Sequence, residues 1–141
     1  MTGMSPGLIK ADIMTARYAL NEYEANGRFK DIKNICGYHI QQAVEKLIKY
    51  QIYQQVEEVD NRQMYTHNIG ALLAYAKKRG LNLVVPEYIL KNSEVITSWE
   101  AGSRYDLHFS VRVDTLRKML SVVTIWYDEI FQKECDGTGK D

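Results

Sequence analysis

The two residues best suited to chemistry are Arg104 and His108. An unperturbed imidazole titrates near pH 6.5, so His108 could accept or donate a proton at neutral pH. The planar guanidinium of Arg104 could bind a phosphate group through two parallel hydrogen bonds. The residues are four positions apart, so they face the same way if the local chain is helical. The alternative is structural: His108 lies exposed after a helix, and Arg104 pairs with Glu100 or Asp106.

A second group of polar residues is predicted to lie on one long helix: Gln42, Glu45, Lys46 and Lys49. Glu45 and Lys49 have i,i+4 spacing, a pair that contributes about 0.3–0.5 kcal/mol when it lies on the surface. One interpretation places both lysines in solvent. The other has them adding positive potential beside Arg104, while Gln42 fixes neighbouring side chains through hydrogen bonds.

The remaining histidines and the tyrosines have simpler interpretations. His39 falls within an apolar stripe, which predicts a place at the edge of the core. His67 directly follows Thr66, a candidate helix N-cap, and is predicted to be exposed. Aromatic side chains can stack on bases, but they also form the walls of helical bundles and contacts between subunits. We favour the second interpretation for the tyrosines at positions 38, 50, 53, 75 and 127.

Several other kinds of site do not fit the residue spacing. A di-metal carboxylate site needs Glu-x-x-His, whereas Cys36, Met64 and Tyr105 stand three residues before the histidines. No Cys/His cluster fits zinc, and neither a GxxxxGKS/T nor a GxGxxG segment occurs. A strand-turn-helix nucleophile elbow is not visible either. The sequence therefore predicts neither a metal site nor a cofactor.

Cysteine use, hydropathy and net charge limit the cellular compartment and the binding partners that can be expected. Cys36 and Cys135 are isolated and form no CxxC pair, as in a compartment that keeps thiols reduced. The N-terminus lacks the apolar run of a signal peptide, and no window approaches the ~20 apolar residues of a membrane span. We therefore predict a cytoplasmic domain without a membrane contact. The 18 basic and 18 acidic residues cancel, so attraction to nucleic acid must come from a local patch.

Helices must position these residues, because apolar side chains recur every three or four positions. Five such stripes begin at Ile9, Ile32, Ile69, Ile89 and Val113. The second helix is predicted over residues 30–57 and is followed by a loop. Gly27 and Gly80 are predicted to end the first and third helices in the left-handed conformation, and Thr66 to cap the third. Pro86 is predicted to begin the fourth helix after a short extended piece.

These helices predict one all-α domain over residues 1–141, with a core over about residues 8–131 and a frayed tail over residues 132–141. Five amphipathic helices with short connections pack most simply as an antiparallel up-and-down bundle. A chain of 141 residues buries roughly 70% of its unfolded surface, so it can fold without a metal or a disulfide.

Three segments carry a family resemblance. Residues 36–49 read CGYHIQQAVEKLIK, residues 66–69 read THNI, and residues 99–105 read WEAGSRY. In this order they resemble the HEPN (higher eukaryote and prokaryote nucleotide-binding) family. That family has an aromatic-x-x-QQAxEKxxK helix, a Thr-His-Asp/Asn-Leu start of helix three and an Arg-Tyr-Pro signature near the end of a later helix. The likeness spans about residues 8–131.

The resemblance implies a bundle of four long helices and a shorter one, which is usually a homodimer. Family members include metal-independent ribonucleases, often toxins paired with a small nucleotidyltransferase-like antitoxin, and binding modules without catalysis. Catalytic members carry an Arg followed after four to six residues by a His, at the dimer cleft. Here three residues separate Arg104 from His108, and Asp106 stands where the family has proline.

Carried onto this chain, the resemblance implies binding of nucleotide or RNA phosphate at a dimer cleft by Arg104, Tyr105, Lys46, Lys49 and Gln42. Arg104 and His108 would be catalytic in a metal-independent endoribonuclease of a toxin–antitoxin or defence system. The alternative is a non-catalytic helical module that recruits a nucleotidyltransferase or another protein. Neutral net charge favours this alternative slightly, because RNA-binding domains more often carry a basic excess.

Overall fold

The computed structural model describes the backbone of residues 5–105 and 111–139 and the side chains of residues 5–100 and 111–132. Within these ranges the chain has no strand, and it forms seven helices: α1 Pro6–Ala25, α2 Lys30–Gln55, α3 Asn61–Met64, α4 Ile69–Lys78, α5 Glu87–Lys91, α6 Ser93–Tyr105 and α7 Val113–Gly139. The all-α prediction is confirmed. None of the described helices is both long enough and apolar enough to cross a membrane.

The described ranges hold two helices more than the five predicted. One is α3, a single turn in the polar segment predicted as a loop, where the Asp60 side chain accepts the Arg62 N–H at 3.0 Å. The other arises because the predicted fourth helix is divided at Asn92, which ends α5. Three apolar residues of that predicted helix are nevertheless buried: Ile89, Ile96 and Trp99.

α1 and α2 form a helical hairpin, joined by residues 26–29, and pack along their apolar stripes. Pro6 occupies the first turn of α1, where its missing N–H leaves no hydrogen bond unmade. α1 ends at Asn26, but Gly27 does not take the left-handed conformation predicted for it. Among the described residues only Gly80 has a positive φ, of 70°, and it ends α4 as predicted.

α2 is the central helix and packs against α1, α4, α6 and α7. It ends at Gln55, slightly before the predicted end at residue 57. Most of its predicted apolar stripe is buried: Cys36, Ile40, Ala43, Val44, Leu47, Ile48 and Ile52. At Gly37 the helix approaches α6 closely, since a Cβ there would lie 3.4 Å from the Trp99 ring. Trp99 of α6 therefore packs directly against the backbone of α2 at Gly37.

The N-cap of α4 is Asn68, not Thr66 as predicted. The Asn68 side chain accepts the Ala71 N–H at 3.0 Å. Thr66 instead accepts the Asn68 N–H at 3.1 Å, in a turn that precedes the helix. His67 therefore lies between two residues whose side chains hold the local backbone.

Two glutamines of α2 hold residues 81–86, which connect α4 to α5 outside any helix. Gln51 accepts the Val84 N–H at 2.7 Å and donates to the Val84 carbonyl at 3.0 Å. Gln55 forms the same pair of bonds with Asn82, at 3.0 and 2.8 Å. The side-chain amides thus replace the hydrogen bonds that a neighbouring strand would provide.

α7 packs against α1 and α2. Its buried residues include the predicted Leu116, Leu120 and Val123, together with Met119 and Trp126, which the predicted stripe omitted. Trp126 donates its Nε1–H to the Val84 carbonyl at 2.7 Å, which ties α7 to the connecting segment. The backbone of α7 is helical as far as Gly139, beyond the predicted end of the core near residue 131.

Candidate functional site

The predicted site residues differ in how much of them the structure describes. Arg104 and Tyr105 lie in the last turn of α6, with side chains outside the described residues. His108 lies entirely outside the described residues. The other predicted residues, Gln42, Lys46 and Lys49, are described in full on α2.

A buried polar group on α2, here named the Glu45 cluster, consists of Gln41, Glu45, Lys49 and His67. The Glu45 side chain is 6% exposed. Its Oε1 accepts from His67 Nδ1 at 2.9 Å and from Gln41 Nε2 at 3.1 Å, and its Oε2 accepts from Lys49 Nζ at 2.8 Å. A buried carboxylate requires such donors, because an unpaired charge in the interior is strongly unfavourable.

Lys49 is buried, with 10% of its side chain exposed. The predicted i,i+4 pair with Glu45 is present, but it is not the surface pair that was expected. The interpretation that places both lysines in solvent is therefore wrong for Lys49. The ammonium is matched by the Glu45 carboxylate and adds little free positive charge.

His67 is exposed, as predicted, with 57% of its side chain accessible. Its position is nevertheless fixed, because Nδ1 contacts Glu45 and the His67 carbonyl accepts from Gln41 Nε2 at 3.0 Å. An ionised carboxylate only accepts hydrogen bonds, so Nδ1 carries a proton. Nε2 lies 3.9 Å from Glu100 Oε1, within ion-pair range but beyond hydrogen-bond distance.

α6 contacts the same region at two points, through Thr97 and Glu100. Thr97 Oγ1 accepts the Ile69 N–H at 2.9 Å, at the start of α4. Glu100 is buried and faces His67. Arg104 follows Glu100 by four residues, about 6 Å along the helix axis. The polar contacts of α2 therefore extend to the helix whose last turn carries Arg104.

Gln42 contacts the Glu45 cluster through its neighbour. Its Nε2 donates to Gln41 Oε1 at 2.7 Å, and a role of Gln42 in nucleotide binding stays a prediction. Gln41 is fully buried and was not predicted as a site residue. Its spacing was informative, however, because it lies four residues after Gly37 and four before Glu45, on one face of α2.

A second polar group, here named the Asp12 cluster, consists of Asp12, His39 and Lys46 and joins α1 to α2. Asp12 Oδ1 lies 2.9 Å from His39 Nδ1, and Asp12 Oδ2 accepts from Lys46 Nζ at 2.5 Å. His39 is 27% exposed, which fits its predicted place at the edge of the core. Asp12 was not predicted, and its one signal was its place in the apolar stripe of Ile9 and Ile13.

Among the described residues, the groups that could take part in chemistry are imidazoles and charged side chains. No group of three or more metal-binding side chains among them is placed to hold a metal ion. Cys36 is a buried free thiol, and burial, with a smaller contribution from the charge of Glu24, raises the pKa of Cys36 to about 12. The thiol is therefore protonated at neutral pH and is a poor nucleophile.

A family profile for the HEPN domain matches residues 11–129 of the chain. The matched region contains both clusters, α6 and the positions of Arg104 and His108. Comparison with curated proteins and with solved structures finds no match. The profile supports a helical domain with a nucleotide- or RNA-related role, and it confirms the resemblance carried by the three short segments. Because the profile covers most of the chain, this protein belongs to the HEPN family.

Proposed function

We propose that this HEPN domain binds RNA or nucleotide phosphate beside the last turn of α6, with Arg104 as the phosphate ligand. The observation that carries the proposal is that the exposed His67 lies between two buried carboxylates, Glu45 and Glu100, and that Glu100 is one helical turn before Arg104. Buried ionisable groups are costly to a fold, and they concentrate at functional sites. These carboxylates therefore support a binding site next to the end of α6.

The charges around His67 favour Arg104 over the lysines as the phosphate ligand. Among the described residues there, Glu45 and Glu100 carry negative charge and Lys49 carries positive charge, which provides no excess positive charge for a phosphate. Lys46 is likewise paired with a carboxylate. A phosphate bound here needs a cation from outside both clusters, and a guanidinium can bind it through two hydrogen bonds.

In this proposal Gln42 and Lys49 hold the site through their hydrogen bonds to neighbouring side chains of α2. Tyr105, which follows Arg104 in the sequence, would stack on a base. Two copies of the chain related by a two-fold axis would bring two such helix ends to one cleft. HEPN domains often dimerise, and sedimentation of the purified chain at two concentrations tests the dimer.

Titration of a short single-stranded RNA by fluorescence anisotropy tests the phosphate site. A hydrogen bond to a charged group contributes about 1.5–3 kcal/mol, so we expect Arg104→Ala to weaken binding roughly ten- to a hundredfold. The slope of log K against log salt should fall by about 0.7, the value for one phosphate contact on a single strand. Arg28→Ala, which removes an exposed arginine between α1 and α2, is the control. Equal affinities of the two variants would dismiss the site.

The catalytic form of the proposal is a metal-independent endoribonuclease, as in a toxin–antitoxin or defence system. Arg104 stabilises the charge on the phosphorane, and His108 transfers a proton. Incubation with RNA in the presence of a chelator tests this form: we expect the parent chain to cleave, and His108→Ala to cleave about 10²-fold more slowly. Intact RNA in that assay, together with harmless overexpression, would exclude the enzyme and leave the binding domain.

A second candidate is a non-catalytic module that recruits a nucleotidyltransferase or another protein. The observation in its favour is that a carboxylate neutralises the lysine of each cluster, which matches the net charge of zero. A pull-down that retains one stoichiometric partner, unchanged by Arg104→Ala and His108→Ala, would favour this candidate over RNA binding.

A further inference from the structure

The structure contains an accessible imidazole that is held by a buried carboxylate. We infer that His67 is the general base of the RNA cleavage proposed above, with Glu45 as the carboxylate that orients it. The inference rests on the proposed ribonuclease function. It adds to that function a residue that lies 22 positions from Glu45 and outside the segment of Arg104 and His108.

The contact between the two residues defines which ring nitrogen is free. Glu45 Oε1 lies 2.9 Å from His67 Nδ1, so the carboxylate selects the form of the ring with a proton on Nδ1. Nε2 is then the nitrogen that can take a proton from a substrate. Serine hydrolases divide the roles in the same way, since a buried acid orients the ring and the outer nitrogen transfers the proton.

Both members of the pair are fixed before any substrate binds. Glu45 also accepts from Gln41 and Lys49, so its carboxylate cannot turn without breaking these hydrogen bonds. The His67 backbone is held by Gln41 and precedes Asn68, the N-cap of α4. The His67 ring is more than half exposed and therefore open to a large substrate. A general base needs this combination of fixed orientation and access.

His67 faces the helix that carries the proposed phosphate ligand, Arg104. Its Nε2 faces Glu100 at 3.9 Å, and Arg104 follows one turn later, about 6 Å along α6. In a ribonucleotide the 2′-hydroxyl is directly adjacent to the 3′-phosphate. A phosphate bound at the end of α6 would therefore bring a 2′-hydroxyl to the side of the helix that His67 faces.

His39 makes the equivalent contact with Asp12 but lacks two of these properties. Its ring is less exposed than that of His67 and packs edge-on against Tyr38, with ring centroids 5.1 Å apart. It also lies at the contact of α1 with α2 and pairs with Asp12 of α1, whereas His67 faces Glu100 of α6. We therefore assign His39 a structural role, which makes it the matched control.

The proposed step is a transesterification. His67 Nε2 takes the proton of the 2′-hydroxyl as the 2′-oxygen forms a bond to phosphorus. The bond between phosphorus and the 5′-oxygen breaks, and this oxygen leaves with the electron pair and takes a proton from solvent water. The products are a 2′,3′-cyclic phosphate and a 5′-hydroxyl, so the step needs no oxidant or reductant.

Cleavage of a short RNA in chelator by the parent chain, His67→Asn and His39→Asn tests the inference. Asparagine places an amide N–H close to the position of Nδ1, so it retains a donor to Glu45 and removes the base. We expect His67→Asn to lower kcat by about 10²–10⁴-fold, with KM, RNA affinity and Tm close to those of the parent. His39→Asn should leave kcat unchanged. Added imidazole should restore part of the rate of His67→Asn, which a purely structural role would not produce.

Equal rates for the parent and His67→Asn would overturn the assignment, and so would a parent chain that leaves RNA intact. Phosphate binding is judged separately from cleavage. If Arg104→Ala loses RNA affinity while His67→Asn cleaves normally, only the role of His67 is contradicted. If Arg104→Ala keeps its affinity, the phosphate site itself fails.

Discussion

The Glu45 cluster and the Asp12 cluster combine the same three groups in the same way. In each, one carboxylate oxygen lies 2.9 Å from an imidazole Nδ1, and the other oxygen accepts from a lysine Nζ. They differ in accessibility: the Glu45 cluster buries its lysine and carboxylate more deeply and exposes its imidazole more. The two clusters therefore have the same hydrogen bonds but differ in how far each side chain is exposed to solvent.

A histidine paired with a carboxylate therefore does not by itself indicate a functional site. The Asp12 cluster joins two helices side by side, so its histidine is partly covered by α1 and α2. The Glu45 cluster lies where α2 meets the start of α4, and its histidine faces a second buried carboxylate on α6. Access to Nε2 and the presence of Glu100 distinguish the candidate site from the structural contact.

Removal of the carboxylate should separate the two clusters most strongly. Glu45→Ala leaves the Lys49 ammonium buried without its partner, and we expect the free energy of unfolding to fall by about 3–5 kcal/mol. Asp12→Ala leaves Lys46, which is more exposed and can reach water, so we expect a fall of about 1–2 kcal/mol. Urea unfolding measures both values, and equal losses would contradict the role given to burial.

Two neutral contacts on the same helix test whether exposure alone sets the cost of losing a hydrogen bond. Gln51→Ala removes two hydrogen bonds to Val84 at a buried position, and we expect a loss of about 1–3 kcal/mol. Gln55→Ala removes an equivalent pair at an exposed position, where water replaces the amide and the loss should be below about 1 kcal/mol. Urea unfolding with the opposite order would show that exposure does not determine the cost.

Cys36 is a buried ionisable group that is neutral at pH 7 and has no ion pair. It therefore shows how burial makes the free energy of unfolding depend on pH. Burial raises the pKa of Cys36 from 9.0 to about 12 in the folded chain, so the unfolded chain loses its proton first as the pH rises. Stability should therefore fall between these two values, by up to about 1.4 kcal/mol per pH unit, and not below them. Urea unfolding from pH 8 to pH 10.5 should show this decline in the parent chain and a smaller one in Cys36→Ala. Parallel declines in the two chains would contradict the assignment.

The smallest effect is expected at an exposed pair with the same spacing as Glu45 and Lys49. Glu87 and Lys91 are also i,i+4, with the Lys91 Nζ 3.4 Å from the Glu87 carboxylate and both side chains in solvent. Lys91→Ala should change the free energy of unfolding by less than about 0.5 kcal/mol. Thermal and urea unfolding of Lys91→Ala beside Lys49→Ala provide the comparison. Similar losses at the two lysines would mean that spacing matters more than burial.

Much of the helical framework could be predicted because its signals are local. The stripe of α2, the proline in the first turn of α1 and the left-handed Gly80 each depend on residues within one or two turns. The predicted cap of α4 was wrong: Thr66 and Asn68 can both cap a helix, and the structure uses Asn68. The three segments that resemble the HEPN family are also local, and they led to the correct family.

The contacts around the candidate site could be predicted only in part, because they join residues that are distant in sequence. Gln42 and Lys49 were expected to matter, but the burial of Lys49 was not expected. His67 was predicted to be exposed, and nothing local indicated its bond to Glu45. The pairing of Asp12 with Lys46 spans two helices, and the place of Asp12 in an apolar stripe does not identify its partner.

The helices, their apolar faces and the family of this chain follow from periodicity and short motifs, which are properties of neighbouring residues. Which charged side chains are buried, and which of two similar histidines remains open to a substrate, depends on how the helices pack. A helical period gives the direction of a side chain, whereas its burial depends on the helix that packs there.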